Sequence, residues 1–393
     1  MRFILFLSGI ESFNYYTDEL MKELSKRGHT FFTLDLRDAA SSGPHSLYAM
    51  MDFIKTGPVH AAIGYDQMAT ISQDYCDLWN EYHIPVISIY VDPSYRFGGI
   101  NSFRINRSIR YCCDLNDVIF CRRFYHDLMP NVFFMPHAGT IPAEASTPWE
   151  QRKYDLLFSG TWYDPEGYLT KIKDSSYEDW MKQFLLTTAD FLRQYPEYSV
   201  LQAVDRLVSE YYPSFDETAV CNILQHCENV DWYARMYYRT AVIKEIISSG
   251  IDLYLLGRGW ENLPATKVKN VHILSDRVPF AESLRIMADA RINLNVLPWF
   301  KDGTHERVFN ALLRDSALLT NDSLWLREHF KDNQDIFYYD LRHPTQLPSI
   351  IQRILSNPAE TTAVISSGKK IVGENYTWKN LADQIEADIK QFH

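Results

Sequence analysis

Residues 239–260 read RTAVIKEIISSGIDLYLLGRGW. The stretch closes a helical pattern that runs over 231–248, passes Gly250, and enters an apolar strand at Asp252–Leu256. It ends on Gly257-Arg258-Gly259. A helix feeding a short apolar strand that stops at glycines is the repeating unit of an α/β sheet. Glycines at that point let a backbone approach a phosphate, and Arg258 supplies a charge to pair with it. A Gly-x-Gly serves equally well as a tight turn.

Downstream the alternation continues. Val271–Leu274 is a strand, Phe280–Ala290 a helix, Ile292–Leu297 a strand and Arg307–Leu313 a helix; Ala317–Thr320 and Ile336–Tyr339 complete the sheet. From Pro344 the tail is helical, with a break near Asn357-Pro358. Upstream, Tyr154–Ser159 opens the same set of strands and ends in Gly160-Thr161, a second loop placed like Gly257–Gly259. Between the two, 177–195, 199–211, 216–227 and 231–248 are helical without a strand, so about 166–250 is a helical insertion.

The first part of the chain follows the same plan. Phe3–Ser8, His29–Leu36, His60–Gly64, Pro85–Val91, Asp117–Cys121 and Val132–Pro136 read as strands, with helices over Tyr16–Arg27 and Gln67–Tyr82. Strands rich in Val, Ile and Phe that alternate with helices indicate a parallel sheet covered on both faces. Residues 141–153 are polar, contain Pro142 and Pro148, and read as a linker. The expectation is an α/β protein of two Rossmann-like lobes facing a cleft that holds the ligand. Its parts are 1–140, the linker 141–153, 154–375 with the insertion, and a last helix over 376–393 that packs back on the first lobe.

Composition narrows the function. The 393 residues are 46% apolar and 23% charged, which suits a folded chain with sizeable cores. A net charge of -11 argues against a protein that grips nucleic acid through its phosphates. Six cysteines without a CxxC pair suggest free thiols in a reducing compartment. Cys221, His226 and Cys227 lack a fourth ligand, so no metal site is expected. The N-terminal apolar run is short and soon meets Glu11, which fits a buried strand better than a signal peptide. No other run approaches the roughly 20 residues of a membrane span. The expectation is a cytoplasmic protein, at most peripheral to a membrane.

Ligands of open parallel sheets sit beyond the C-terminal ends of the strands. That rule selects Ser8, Gly9, Asp92 and His137 in the first lobe. Asp92-Pro93 is followed by Tyr95, Arg96 and Gly98-Gly99; its carboxylate can accept a proton or hold a hydroxyl, or simply open a turn. His137 reads either as a base or as a structural histidine. The richest stretch is Pro298–Asn310, PWFKDGTHERVFN. Asp302, Gly303 and Thr304 have the character of a helix N-cap, and His305 and Arg307 place cations where the helix dipole disfavours them unless an anion is near.

The second half resembles the group 1 GT-B glycosyltransferases, in the branch grouped with spore-maturation CgeB-like proteins. Residues 154–160, 239–260 and 302–320 carry the likeness, the last resembling a Gly-Thr/Ser-x-x-Arg-Val-Phe-Glu donor-binding pattern. The resemblance covers about 154–390 well, and the first lobe only in layout and in Asp92-Pro93. It implies a metal-independent transferase that takes a nucleotide-sugar, expected to be a UDP-sugar, and retains anomeric configuration. The nucleotide would lie over Gly257, Arg258 and Gly259, with its base near Arg277 and Val278. The diphosphate would lie near Gly160, Arg258 and the helix starting at Thr304, and the ribose by Asn310, with Thr161, Gly303 and His305 also donor-binding. Asp302, Arg307, Asp92 and His137 would be catalytic, with Gly9 and Tyr95 on the acceptor side. The paired acids of such enzymes match Asp302 and Asn310 here, and Arg314-Asp315-Ser316 stands where a small glycine usually follows the helix. A sugar-nucleotide 2-epimerase and a non-catalytic nucleotide-sugar-binding protein are the alternatives.

Overall fold

The computed structural model describes residues 1–392, which form two compact units. The first joins Met1–Ala138 to the chain from Tyr376 on; the second is Gly139–Asn375.

The first unit runs β1 (Arg2–Leu7), α1 (Glu11–Lys26), β2 (Thr30–Asp35), α2 (Leu47–Lys55), β3 (Ala61–Tyr65) and α3 (Gln73–Glu81). It continues with β4 (Val86–Tyr90), the single turn α4 (Gly98–Asn101), β5 (Ser108–Cys112), α5 (Leu115–Phe124) and β6 (Val132–Phe134). All six strands are parallel, in the order β2-β1-β3-β4-β5-β6. Every residue of β3 and β4 is buried, as expected of central strands covered on both faces. The order reverses direction between β1 and β3, the switch point where such sheets open a crevice.

The second unit begins at β7 (Tyr154–Ser159) and passes through α6 (Pro165–Lys173), α7 (Asp179–Gln194), α8 (Val200–Tyr211), α9 (Glu217–Gln225) and α10 (Glu228–Ser249). Then come β8 (Leu253–Leu256), β9 (Val271–Ser275), α11 (Phe280–Ala288), β10 (Ala290–Asn295), α12 (Glu306–Leu313), β11 (Ala317–Asn321), α13 (Leu324–His329) and β12 (Phe337–Tyr339). The helices α14 (Leu347–Ser356) and α15 (Pro358–Asn375) close the unit, and α16 (Trp378–Ile389) returns to the first. The sheet order β12-β11-β10-β7-β8-β9 is the dinucleotide-fold order, with its switch point between β7 and β10. Leu156, Phe158, Leu255, Ile292, Leu294 and Leu319 form its centre, packed against Val242, Ile243 and Ile246 of α10. Residues 141–153 are anchored to this unit: the buried Arg152 donates to the carbonyls of Thr147, Ala290 and Arg314.

Three local expectations are corrected. Asp117–Cys121 lies inside helix α5, capped by the Asp114 carboxylate on the Asn116 N–H, while the strand of that region is β5. Apolar runs of four residues do not distinguish strand from helix, and Arg110 interrupts the apolar pattern of the real strand. Gln67–Tyr82 is not one helix: a 3-10 turn at Met68–Thr70 precedes α3. The helices α2 and α13 had no expected counterpart, while α6 falls within the expected helical insertion.

Candidate functional site

In the second unit two loops leave the C-terminal ends of adjacent strands and are stapled together. Gly160 N–H donates to the Leu256 carbonyl, Trp162 N–H to Arg258, and the Trp260 indole N–H to Gly160, each at 2.8 Å. Gly257 and Gly259 have φ of +131° and +87°. A Cβ on them would stand 2.5 Å from the Gly160 oxygen and 2.0 Å from the Trp162 oxygen. Both glycines are therefore required by the backbone itself. The amides of Gly160 and Gly257 are committed to Leu256 and Ser275. The Gly-x-Gly thus positions the loops rather than cradling a phosphate with those two N–H groups. Arg258 is exposed and forms no side-chain hydrogen bond or ion pair among the described residues. Arg277 and Val278 follow β9 at the sheet edge, with a Ser275 side-chain turn fixing the Arg277 backbone.

Beside these loops lies a cluster of guanidinium groups. Arg235 and Arg239, four residues apart on α10, share one face of the helix and are 4% and 5% exposed. Arg307, in the first turn of α12, donates to the Ser159 carbonyl at 2.6 Å, and Arg239 donates to the Thr161 carbonyl. Together they bracket Gly160. The Arg235 guanidinium lies 4.1 Å over the Trp299 ring and pairs with Asp231 at 2.8 Å. Arg239 makes no ion pair among the described residues, and burial, with Arg307 and Arg235 alongside, holds its guanidinium well below its ordinary range. Four buried polar atoms in this region also have no hydrogen-bond partner among the described residues: Ser159 Oγ, Arg239 Nε, Asn295 Oδ1 and Thr304 Oγ1. Ser159 and Asn295 follow the paired Phe158 and Leu294, so they stand side by side at the β7–β10 switch point. Buried cations and unsatisfied polar atoms are what an anionic, hydrogen-bonding ligand completes.

Residues 302–310 lead from the loop after β10 into α12. His305, not Asp302, Gly303 or Thr304, is the N-cap of α12: its Nδ1 accepts from the Arg307 N–H at 3.4 Å and from Arg307 Nε at 3.3 Å. Thr304 and Gly303 are buried, and Asp302 is half-buried on the same loop. Asn310 is turned inward. Its Oδ1 accepts from the Thr140 N–H at 2.9 Å and from Arg314 at 3.2 Å. Arg314, which stands where a small residue was expected, also donates to the carbonyls of Leu284 and Thr140, so Asn310 and Arg314 act as one buried brace.

The first unit carries its own group of polar residues. Gly9 is exposed after β1, and Ser8 is tied to Asn14 through two hydrogen bonds. Asp92 is half-buried and 3.3 Å from Arg96. Tyr95 is buried against Phe120, and His137 is buried with its ring edge against Tyr16. Asp66, which follows β3, was missed by the sequence reading. It adopts φ +46°, is 6% exposed, and accepts from the N–H groups of Val91 (2.9 Å) and Asp92 (3.3 Å). Burial and the neighbouring Asp92 charge hold its carboxyl well above the usual carboxylate range. The strand-end rule that selected Asp92 would have selected Asp66 as well. Arg235 and Arg239 were also missed, although two arginines spaced by four in an aromatic helix were a readable signal.

These two six-stranded parallel sheets with covering helices are the two-lobe α/β architecture of the GT-B fold. Residues 239–387, which include Arg239, Gly257–Gly259 and Arg307 but not the Gly160 loop, match the model of a family described as glycosyl transferase-like. Among solved structures, sucrose-phosphate synthase from Thermosynechococcus elongatus aligns over 100% of this chain and 99% of its own, with 10% identity and a TM-score of 0.58. The BGT of T4 phage, in complex with its UDP-glucose substrate, aligns over 99% of both chains at 8% identity and 0.56. Anabaena HepE, in complex with UDP and glucose, aligns over 100% of both at 10% identity and 0.51. No curated protein sequence matches the chain.

Proposed function

We propose that the chain is a glycosyltransferase that moves a hexosyl or N-acetylhexosaminyl group from a UDP-sugar to an acceptor, with retention of configuration. The observation that carries this reading is the cluster of Arg235, Arg239 and Arg307 around Gly160, with its unsatisfied polar atoms, at the switch point of the second sheet. A diphosphate supplies the counter-charge that Arg239 lacks among the described residues. UDP or UDP-glucose accompanies two of the fold neighbours, which supports the choice of nucleotide.

In this proposal the leaving diphosphate gains negative charge as the glycosidic bond breaks. Guanidinium groups fixed in a dry site stabilise that charge without reorganising, so no metal is needed at that step. Arg239 and Arg307 are the groups proposed to do so, with the exposed Arg258 closing over the phosphates. Asp92 and His137 are proposed to serve the acceptor. A donor-binding protein without turnover is the second reading, favoured by the inward-turned Asn310.

The test is a thermal-shift panel of UDP, UDP-glucose, UDP-N-acetylglucosamine, GDP-sugars and CMP-sugars, with and without EDTA. A ligand at a hundred times its dissociation constant stabilises by about 2.7 kcal/mol. The expected result is an EDTA-insensitive shift with UDP compounds, weakened about tenfold or more in Arg239→Met, because charged hydrogen bonds to phosphate are strong. No shift with any nucleotide, or a shift indifferent to Arg239, would overturn the site. Binding without release of sugar from the donor would select the second reading, and the anomeric coupling of the product reads out retention.

A further inference from the structure

A cavity of about 250 Å³ opens in the second unit over the C-terminal ends of β11 and β12, on the far side of β10 from β7 and β8. Asn321 ends β11, Asp340 follows β12, and Asp322 and Arg327 come from the start and middle of the α13 segment. Another wall is Pro196-Glu197, the turn between α7 and α8 that the helical insertion supplies. Lys301, in the loop after β10, donates through Nζ to the Pro196 carbonyl. The Leu324 N–H donates to the Lys301 carbonyl at 2.8 Å. These bonds tie the three segments to one another, so the fold itself builds the cavity.

Three carboxylates (Glu197, Asp322 and Asp340) and three cations (Lys301, Arg327 and Arg342) line it, so it has no excess charge with which to select an ion. Donors and acceptors stand side by side instead. Arg342 Nε lies 3.1 Å from both Asp340 oxygens and its Nη2 donates to Oδ2 at 2.8 Å. Its Nη1 is left without a hydrogen-bond partner among the described residues. Arg327 pairs with Asp322 through Oδ2, which leaves Asp322 Oδ1 as an open acceptor. The Glu197 side chain makes no hydrogen bond or ion pair among the described residues. Burial opposes the charge on Asp340, but the hydrogen bonds from Arg342 outweigh it and hold the carboxyl below its ordinary value. Leu324, 60% exposed, and the buried Leu341 add an apolar border. We propose that this cavity binds one ring of a neutral saccharide, at a site separate from the Arg239 cluster. A hydroxyl both donates and accepts, so neighbouring hydroxyls of a ring take an N–H from a guanidinium and give an O–H to the carboxylate beside it. The C–H face of the ring lies on Leu324. The volume stands near the lower end of the roughly 300–1,000 Å³ usual for small-molecule sites, which suits a single ring. Binding here needs neither a nucleotide nor turnover, so it stands independently of the proposed transfer.

The full chain is titrated, by saturation-transfer NMR, with glucose, galactose, mannose, N-acetylglucosamine and their disaccharides, and with glucuronate and glucosamine as charged comparisons. The expected result is that a neutral sugar binds with a dissociation constant on the order of 1 mM, as suits a single ring, and more tightly than either charged one. Asp322→Ala combined with Asp340→Ala should weaken binding about tenfold or more, because hydrogen bonds to charged groups are lost. Arg342→Ala should weaken it as well. Both ion pairs face solvent, and a melting scan checks that the variants fold. Arg239→Met should leave sugar binding unchanged, which separates failure of this site from failure of the donor site. No binding of any neutral sugar up to about 20 mM would overturn the proposal. Binding indifferent to the aspartate variant, lost in Arg239→Met, or tighter for a charged sugar would overturn it equally.

Discussion

Arg239 and Asp66 are both charged-type residues placed where charge is unwelcome, and each answers differently. Arg239 has like charges on α10 and α12 for company, so an anion brought beside it would relieve a cost present in the free protein. Asp66 instead favours its neutral form. With a native carboxyl that binds its proton more tightly than the unfolded chain does, the native state holds an extra proton between about pH 4 and about pH 8. Stability contributed by Asp66 is therefore full at the acid end and declines as pH rises through that window. Asp66→Asn keeps an oxygen for the Val91 and Asp92 N–H groups and has no proton to lose. The variant should match the parent near pH 4 and exceed it in melting temperature near pH 9. Equal pH dependence of melting in the two proteins would show that Asp66 is ionised throughout.

At the scale of elements, the β7 and β8 loops depend on each other. Gly259→Ala would force a side chain into a left-handed backbone and against the Trp162 carbonyl 2.0 Å away, so a loss of about 2–4 kcal/mol is expected in denaturant unfolding. A loss under about 0.5 kcal/mol would mean that the two loops separate easily. Elements of this kind were legible in the sequence: Tyr154–Ser159 is a strand with the expected ends, and the helical stretch 177–248 holds α7 to α10. Strong periodicity and a glycine at the strand end made them so. β5 was not legible because Arg110 breaks its apolar run, and a buried arginine declares itself only when its partners on α4 and α5 are in place. The candidate site shows the same division. Arg307 and the glycines were read from a loop pattern, whereas Arg235 and Arg239 lie within a mostly buried helix that mixes apolar and charged residues without a clear stripe, which leaves their spacing by four as the readable signal.

At the scale of the molecule, the first unit is assembled from both ends of the described chain. Helix α16 buries Trp378, Leu381, Ala382, Ile385 and Ile389. Arg27 pairs with Asp383 at 2.6 Å, His29 with Glu386, and Tyr111 donates to Asp388. A chain ending at Asn375 would leave the Tyr16 ring without Trp378, 5.6 Å away, and Arg27 without Asp383 and Glu386. Hydrogen exchange on that truncated chain should show α1 and β1 losing protection while β7 and β10 keep theirs. Uniform loss in both units would show that they unfold as one.

Because α16 is translated only after all of Gly139–Asn375, the ribosome delivers the first unit unfinished. Domains usually fold in order from the N-terminus as synthesis proceeds. Here the nascent α1 waits without its partner helix, its Tyr16 ring lacking Trp378, while a whole second unit emerges and folds. That interval, rather than the finished molecule, is when a chaperone would have most to hold.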